Sequence, residues 1–187
     1  MEKDLYFCKP KFEEMSGLII IPIGGLKEGR HLYNFELGNK LFEEFEESEI
    51  KEGNLSVIIE LDKRSSHFDL IVKINGEVRI CCDRCLEMFF QPIACENRLL
   101  VKFAKKWDDS DPDIITVPAD ESELDMKQYL YEFIHLALPI QRIHPGDKTG
   151  KSSCNPDMLK KLDQYIIKEE KEYDPRWDDL RKLINNN

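Results

Sequence analysis

No hydrophobic run in the sequence is long. The most extended, Leu18–Ile23, is six residues and includes Pro22. A membrane-crossing helix needs about 20 apolar residues, which excludes such a span. The start, Met1-Glu2-Lys3-Asp4, lacks the basic end and apolar middle of a secretory signal, so a cytoplasmic protein is expected. Positive charge is also short: 27 Lys and Arg stand against 37 Asp and Glu, a net charge of −10. Duplex-DNA binders usually carry the opposite excess, because affinity comes from neutralising phosphates, and no DNA partner is expected. There is no Gly-rich phosphate loop, no Gly-x-Ser-x-Gly elbow and no His-Glu-x-x-His. Asp109-Ser110-Asp111-Pro112-Asp113 starts like a calcium loop, but Ile114 stands where the turn demands glycine. The reading is not an enzyme.

Aromatic residues are plentiful, eighteen in 187, and their spread excludes wholesale disorder. Gly17–Ile23 reads as a buried strand with a turn at Gly24-Gly25, and His31–Leu37 alternates as a second strand. Leu41, Phe42 and Phe45 suggest a short helix over Leu41–Glu52, its glutamates facing water. Leu55, Val57, Ile59 and Leu61, then Phe68, Leu70, Val72 and Ile74, alternate with mostly polar neighbours. They predict a hairpin with one wet face, continuing past a bulge at Gly76 into Val78 and Ile80. Phe89–Ile93, Leu99–Phe103 and Ile114–Val117 supply further strands.

The end of the chain is helical in pattern. Ser122 offers a cap three residues before Asp125, Met126, Leu130, Phe133, Ile134 and Ala137 form a stripe, and Pro139 stops it. That stripe is expected to pack on Leu55, Val57, Phe68 and Leu70. Asn155-Pro156 and Asp174-Pro175 each combine a cap with proline at the first helical position. Strands first and helices later give an α+β fold: an antiparallel sheet, with barrel-like closure open to it, and C-terminal helices packed against it. Residues 1–187 are read as one domain, with 155–187 its helical C-terminal extension.

The sharpest local signal is Cys82-Asp83-Arg84-Cys85-Leu86. A Cys-x-x-Cys turn brings two thiolates to one tetrahedral zinc, but a closed site needs two more ligands and no second such pair exists. Cys154, His144, Cys95, His135 and Cys81 are the candidates, with Cys154 third and His144 fourth if a metal is held. With half a motif, the sequence alone favours reduced thiols and no cofactor. A redox dithiol shares the spacing but normally opens a helix, whereas this pair ends a strand. A strongly depressed thiol pKa would mark that alternative. Lys102, Lys105 and Lys106 beside Trp107, then Arg142, Lys148 and Lys151, are candidate single-stranded RNA contacts by stacking and phosphate pairing.

The order of these features resembles the bacterial YceD family, the large ribosomal RNA subunit accumulation proteins, over roughly residues 15 to 185. Cys82, Arg84, Cys85, Leu86, Asp125, Glu132, Pro139 and Cys154 match its pattern, as does Asp174-Pro175-Arg176-Trp177, while Cys81 and Cys95 depart from it. The resemblance implies a non-enzymatic cytoplasmic role in accumulating 23S rRNA and assembling the large subunit. The implied partner is rRNA or a large-subunit ribosomal protein. Relatives without the cysteines imply that zinc is not essential to that role. The rival is a cysteine-based redox protein, or a zinc-stapled interaction protein unrelated to ribosomes.

Overall fold

The period-two alternation of the middle of the chain folds as written. A computed structural model describes residues 19–104, 114–118, 120–146 and 152–166. In chain order the elements are β1 (Ile20–Pro22), β2 (Gly29–Leu37), α1 (Asn39–Glu43), β3 (Glu52–Lys63), β4 (His67–Cys81) and β5 (Met88–Ala104). They are followed by β6 (Ile114–Pro118), β7 (Glu123–Asp125), α2 (Lys127–Leu136) and α3 (Pro156–Tyr165). Five strands form one sheet in the order β2-β3-β4-β5-β6, and β1 pairs with β7 in a second, two-stranded sheet. The large sheet is open, with β2 and β6 at its edges, so barrel closure does not occur. It is antiparallel except at β6, which runs parallel to β5.

One face of this sheet is the core. Leu55, Val57, Ile59 and Leu61 of β3 and Phe68, Leu70, Val72, Ile74, Val78 and Ile80 of β4 are all buried. The other face is wet. There the cross-strand pairs Lys73–Glu60, Arg79–Glu52 and Arg98–Asp69 sit between neighbouring strands. The Arg98 guanidinium holds the Asp69 carboxyl below its ordinary value.

Local details depart from the sequence expectations for identifiable reasons. Leu99–Phe103 does not start a new strand: β5 runs unbroken from Met88 because its ladder with β4 never lapses. The helix expected to reach Glu52 ends at Glu43, because Phe42 and Ile50 both turn inward and the chain must bend between them. Ser122 does not cap α2. Residues 123–125 are instead drawn into β7, where the Ser122 carbonyl accepts from the amides of Ile23 and Gly24. Asp125 does the capping, its Oδ1 accepting from Lys127 N at 2.8 Å. Asn155 caps α3 as its sequence predicts, accepting from the amides of Asp157 and Met158. The helix expected after Asp174 lies outside the described residues.

α2 buries Leu130 and Ile134, with Met126 just before it, while Phe133 is only half-buried. Its nearest elements are β5 and α1 rather than the β3–β4 hairpin expected to receive it. Ile134→Ala should therefore cost about 2–5 kcal/mol and Phe133→Ala clearly less. Urea titration of both variants checks this, and equal losses would mean that the helix is docked by its other face.

Candidate metal centre

β4 ends at Cys81, and the chain reverses at once. Cys82 N donates to Glu87 O and Leu86 N donates to Cys82 O, both at 2.9 Å, which closes a tight knuckle. The reversal places Leu86 at φ +61, a left-handed conformation that costs a leucine roughly 1–2 kcal/mol. Backbone amides of Cys85, Arg84 and His144 favour a thiolate at Cys82, and those of Glu87 and Asn155 favour one at Cys85.

The segment after α2 folds back onto this turn. Asp83 N donates to Arg142 O and Arg142 N donates to Asp83 Oδ2, each at 2.8 Å. Arg142 also pairs with Glu49. Two residues on, the His144 ring rests on Phe89 of β5, with centroids 4.6 Å apart. A single bridge between Gly146 and Ser152 returns the chain to Cys154, whose N donates to Ser152 Oγ. Asn155 then donates to Glu87 Oε1 at 2.7 Å, tying the start of α3 to the far side of the knuckle.

These contacts gather four ligand groups. Cys82 Sγ lies 3.7 Å from Cys154 Sγ, and His144 Nδ1 lies 3.4 Å from Cys85 Sγ and 3.6 Å from Cys154 Sγ. All four atoms fall within 4.8 Å of one another, the three thiols are buried and His144 is half-buried. A tetrahedron with metal–sulfur bonds of about 2.3 Å and metal–nitrogen bonds of about 2.0 Å has edges of roughly 3.5–3.8 Å. These three contact distances match those edges, and three thiolates with one imidazole are a common structural zinc set. Burial pushes the Cys82 thiol up, but the amides of Cys85, Arg84 and His144 and the His144 side chain outweigh it and bring it down to about 6. Cys85 goes the other way: burial and the neighbouring Cys82 and Cys154 thiols raise it, against the amides of Glu87 and Asn155. Three sulfurs this close cannot all ionise easily without a cation among them.

The other candidate ligands are not part of the cluster. Cys81 is exposed, and its Sγ faces the Cys82 carbonyl. Cys95 is on β5 with its sulfur against the Phe133 carbonyl, and burial raises its pKa. His135 Nδ1–H donates to Tyr131 O within α2. Of the residues marked by the family pattern, Arg84 and Leu86 are exposed at the knuckle. Asp125 starts α2, Glu132 accepts from Gln128 on its exposed side, and Pro139 lies beyond its end. Of the candidate RNA contacts, Lys102 is exposed on β5, while the Arg142 guanidinium is paired with Glu49. Lys105, Lys106, Trp107, Lys148 and Lys151 lie outside the described residues. Sequence reasoning missed Phe89 as the support for His144; the apolar pair Phe89-Phe90 directly after the knuckle was its only trace.

The family model described as "Large ribosomal RNA subunit accumulation protein YceD" matches residues 70–184, more than half of the chain. The chain belongs to the YceD family. The matched stretch is shorter than the 15–185 expected, starting inside β4, and it contains all four residues of the candidate metal cluster. Comparisons with curated proteins and with solved structures find no match. Among the described residues of this YceD family member, no helix is long and apolar enough to cross a membrane.

Proposed function

We propose that this protein is a non-enzymatic cytoplasmic factor for accumulation of 23S rRNA and assembly of the large ribosomal subunit, with a structural zinc held by Cys82, Cys85, His144 and Cys154. The observation that carries the reading is the family match, whose span includes the complete ligand set. Its partner is rRNA or a large-subunit protein. Zinc is the ion suited to the donors, and its work here is mechanical: it fixes the β4–β5 turn, the segment after α2 and the start of α3 at one point.

A redox role receives less support. The depressed Cys82 thiol suits a nucleophile, yet the same depression is what a metal ligand needs. An attacking sulfur must be reached by its substrate, and Cys82 is fully buried. Depletion is expected to lower free large subunits and their RNA while small subunits persist. Sucrose-gradient profiles check it, and normal large subunits after depletion would refute the proposed role.

A further inference from the structure

Leu86, Leu136 and Ile140 are the most exposed large apolar side chains of the knuckle and the α2 end that leads to it, with Met88 and Phe90 of β5 half-exposed beside the turn. Leu86 is 67% exposed, Leu136 80% and Ile140 101%. Their positions are connected. The double hydrogen bond between Asp83 and Arg142 lies three residues from Leu86 and two from Ile140, and Leu136 ends the helix that leads into Ile140. The same end is continuous with the loop after α1 through the Phe45–Tyr131 stack and the pairs Lys127–Glu44 and Arg142–Glu49.

Leu86 is the informative member. A leucine at φ +61 is strained, and exposure returns no burial energy for that strain. Glycine or asparagine would hold the same turn with less strain. Strain kept at an exposed apolar tip points to something the tip contacts. Beside it, the Arg84 guanidinium is exposed and engages no other group among the described residues. Arginine next to apolar anchors is the composition of an interface centre.

The surrounding charge selects the partner. Glu44, Glu46, Glu47, Glu49, Asp83 and Glu87 are exposed on this end against Lys51, Arg84, Lys127 and Arg142; Lys127 and Arg142 pair with Glu44 and Glu49, and Lys51 Nζ donates to Glu46 O, which leaves an excess of two carboxylates. The chain as a whole carries −10. RNA phosphates would be repelled by such a rim, whereas a basic polypeptide would be drawn to it. We propose that Leu86, Leu136 and Ile140, rimmed by Glu46, Glu47, Glu49 and Asp83, form a docking surface for a basic polypeptide segment of another protein. The proposal deepens the assembly role and rests on it only for the choice of probe.

The test uses the purified full-length chain with its metal, and two probes: proteins extracted from large ribosomal subunits and, separately, protein-free large-subunit RNA. One identified basic protein, prepared pure, should bind the wild type. Leu86→Asn should weaken that binding tenfold or more while the melting temperature stays level or rises, since asparagine tolerates the left-handed turn. Ile140→Asn should weaken it too, and Leu32→Asn, on the outer sheet face, should leave it unchanged. Glu46→Gln with Glu47→Gln should slow association several-fold at low salt and less at high salt. Retention of RNA but no protein overturns the assigned partner class, and retention of neither overturns the surface. Unchanged affinity in both Leu86→Asn and Ile140→Asn also overturns the surface. If depletion still lowers large subunits, the assembly role stands without it. If the protein binds here while subunits stay normal on depletion, the surface stands and the role falls.

Discussion

Cys154→Ser and Cys82→Ser are each expected to empty the metal site and lower the melting temperature by roughly 8–16 °C. A ligand present at a thousand times its dissociation constant stabilises the folded state by about 4.1 kcal/mol. One kcal/mol corresponds to roughly 2–4 °C for a chain of this size. The loss should be concentrated at residues 141–146 and 152–155, because these meet the knuckle mainly through Asp83–Arg142, the His144–Phe89 stack, Asn155–Glu87 and the ligands themselves. Hydrogen exchange should therefore rise there while the β3–β4 ladder stays protected. Cys95→Ser and Cys81→Ser should keep the metal, since neither sulfur belongs to the cluster. Loading the metal-free protein should release protons, because Cys85 holds its proton above the ordinary thiol value until a cation replaces it. The measurement is elemental analysis of protein prepared without a metal-chelating tag, beside thermal melts with and without chelator. Zinc well below one per chain in the wild type, or an unchanged content in Cys154→Ser, would end the idea.

How much of this was legible beforehand depends on the range of the interaction. The β3–β4 hairpin was readable because each residue's face follows from its own parity, and Leu55 to Ile74 alternate without error. Asn155-Pro156 was readable because a cap acts on amides two and three residues away. Ser122 failed for the opposite reason. Its local signal is a good cap, but pairing of β1 with β7 across about a hundred residues removed the segment from the helix. The candidate metal centre sits between these cases. The Cys82–Cys85 turn is local and was seen; closure by His144 and Cys154 depends on Phe89 and Asp83 catching a distant loop. The parallel seat of β6 beside β5 leaves no mark in periodicity, since a strand's alternation is the same in either direction.

Gly76→Ala is expected to destabilise the protein by about 4 kcal/mol, although Gly76 is exposed and buries no side chain. The sequence suggested a bulge there, yet the register runs straight through it: Gly76 stands opposite Leu55 on β3 and opposite Ile93 on β5. The strand instead accommodates a local twist, with Gly76 at φ +152, which side chains rarely adopt. A Cβ at this position would lie 2.2 Å from Asn54 O and 2.9 Å from Leu55 Cα, both backbone atoms of the adjacent strand. Neither can move without breaking the central ladder of the sheet. Gly25 offers the contrast, because its φ is +70 but a Cβ there meets nothing within 4 Å. Gly25→Ala should therefore cost only the conformational penalty, about 1–2 kcal/mol. The knuckle begins six residues beyond Gly76, directly after the end of the same strand, so a displaced β4 should also misalign Cys82 and weaken metal retention. Urea titrations of both variants, with zinc content measured on each, check the pair. Equal small losses would show that β3 and β4 yield to a methyl group and that the close approach at Asn54 is not what requires glycine.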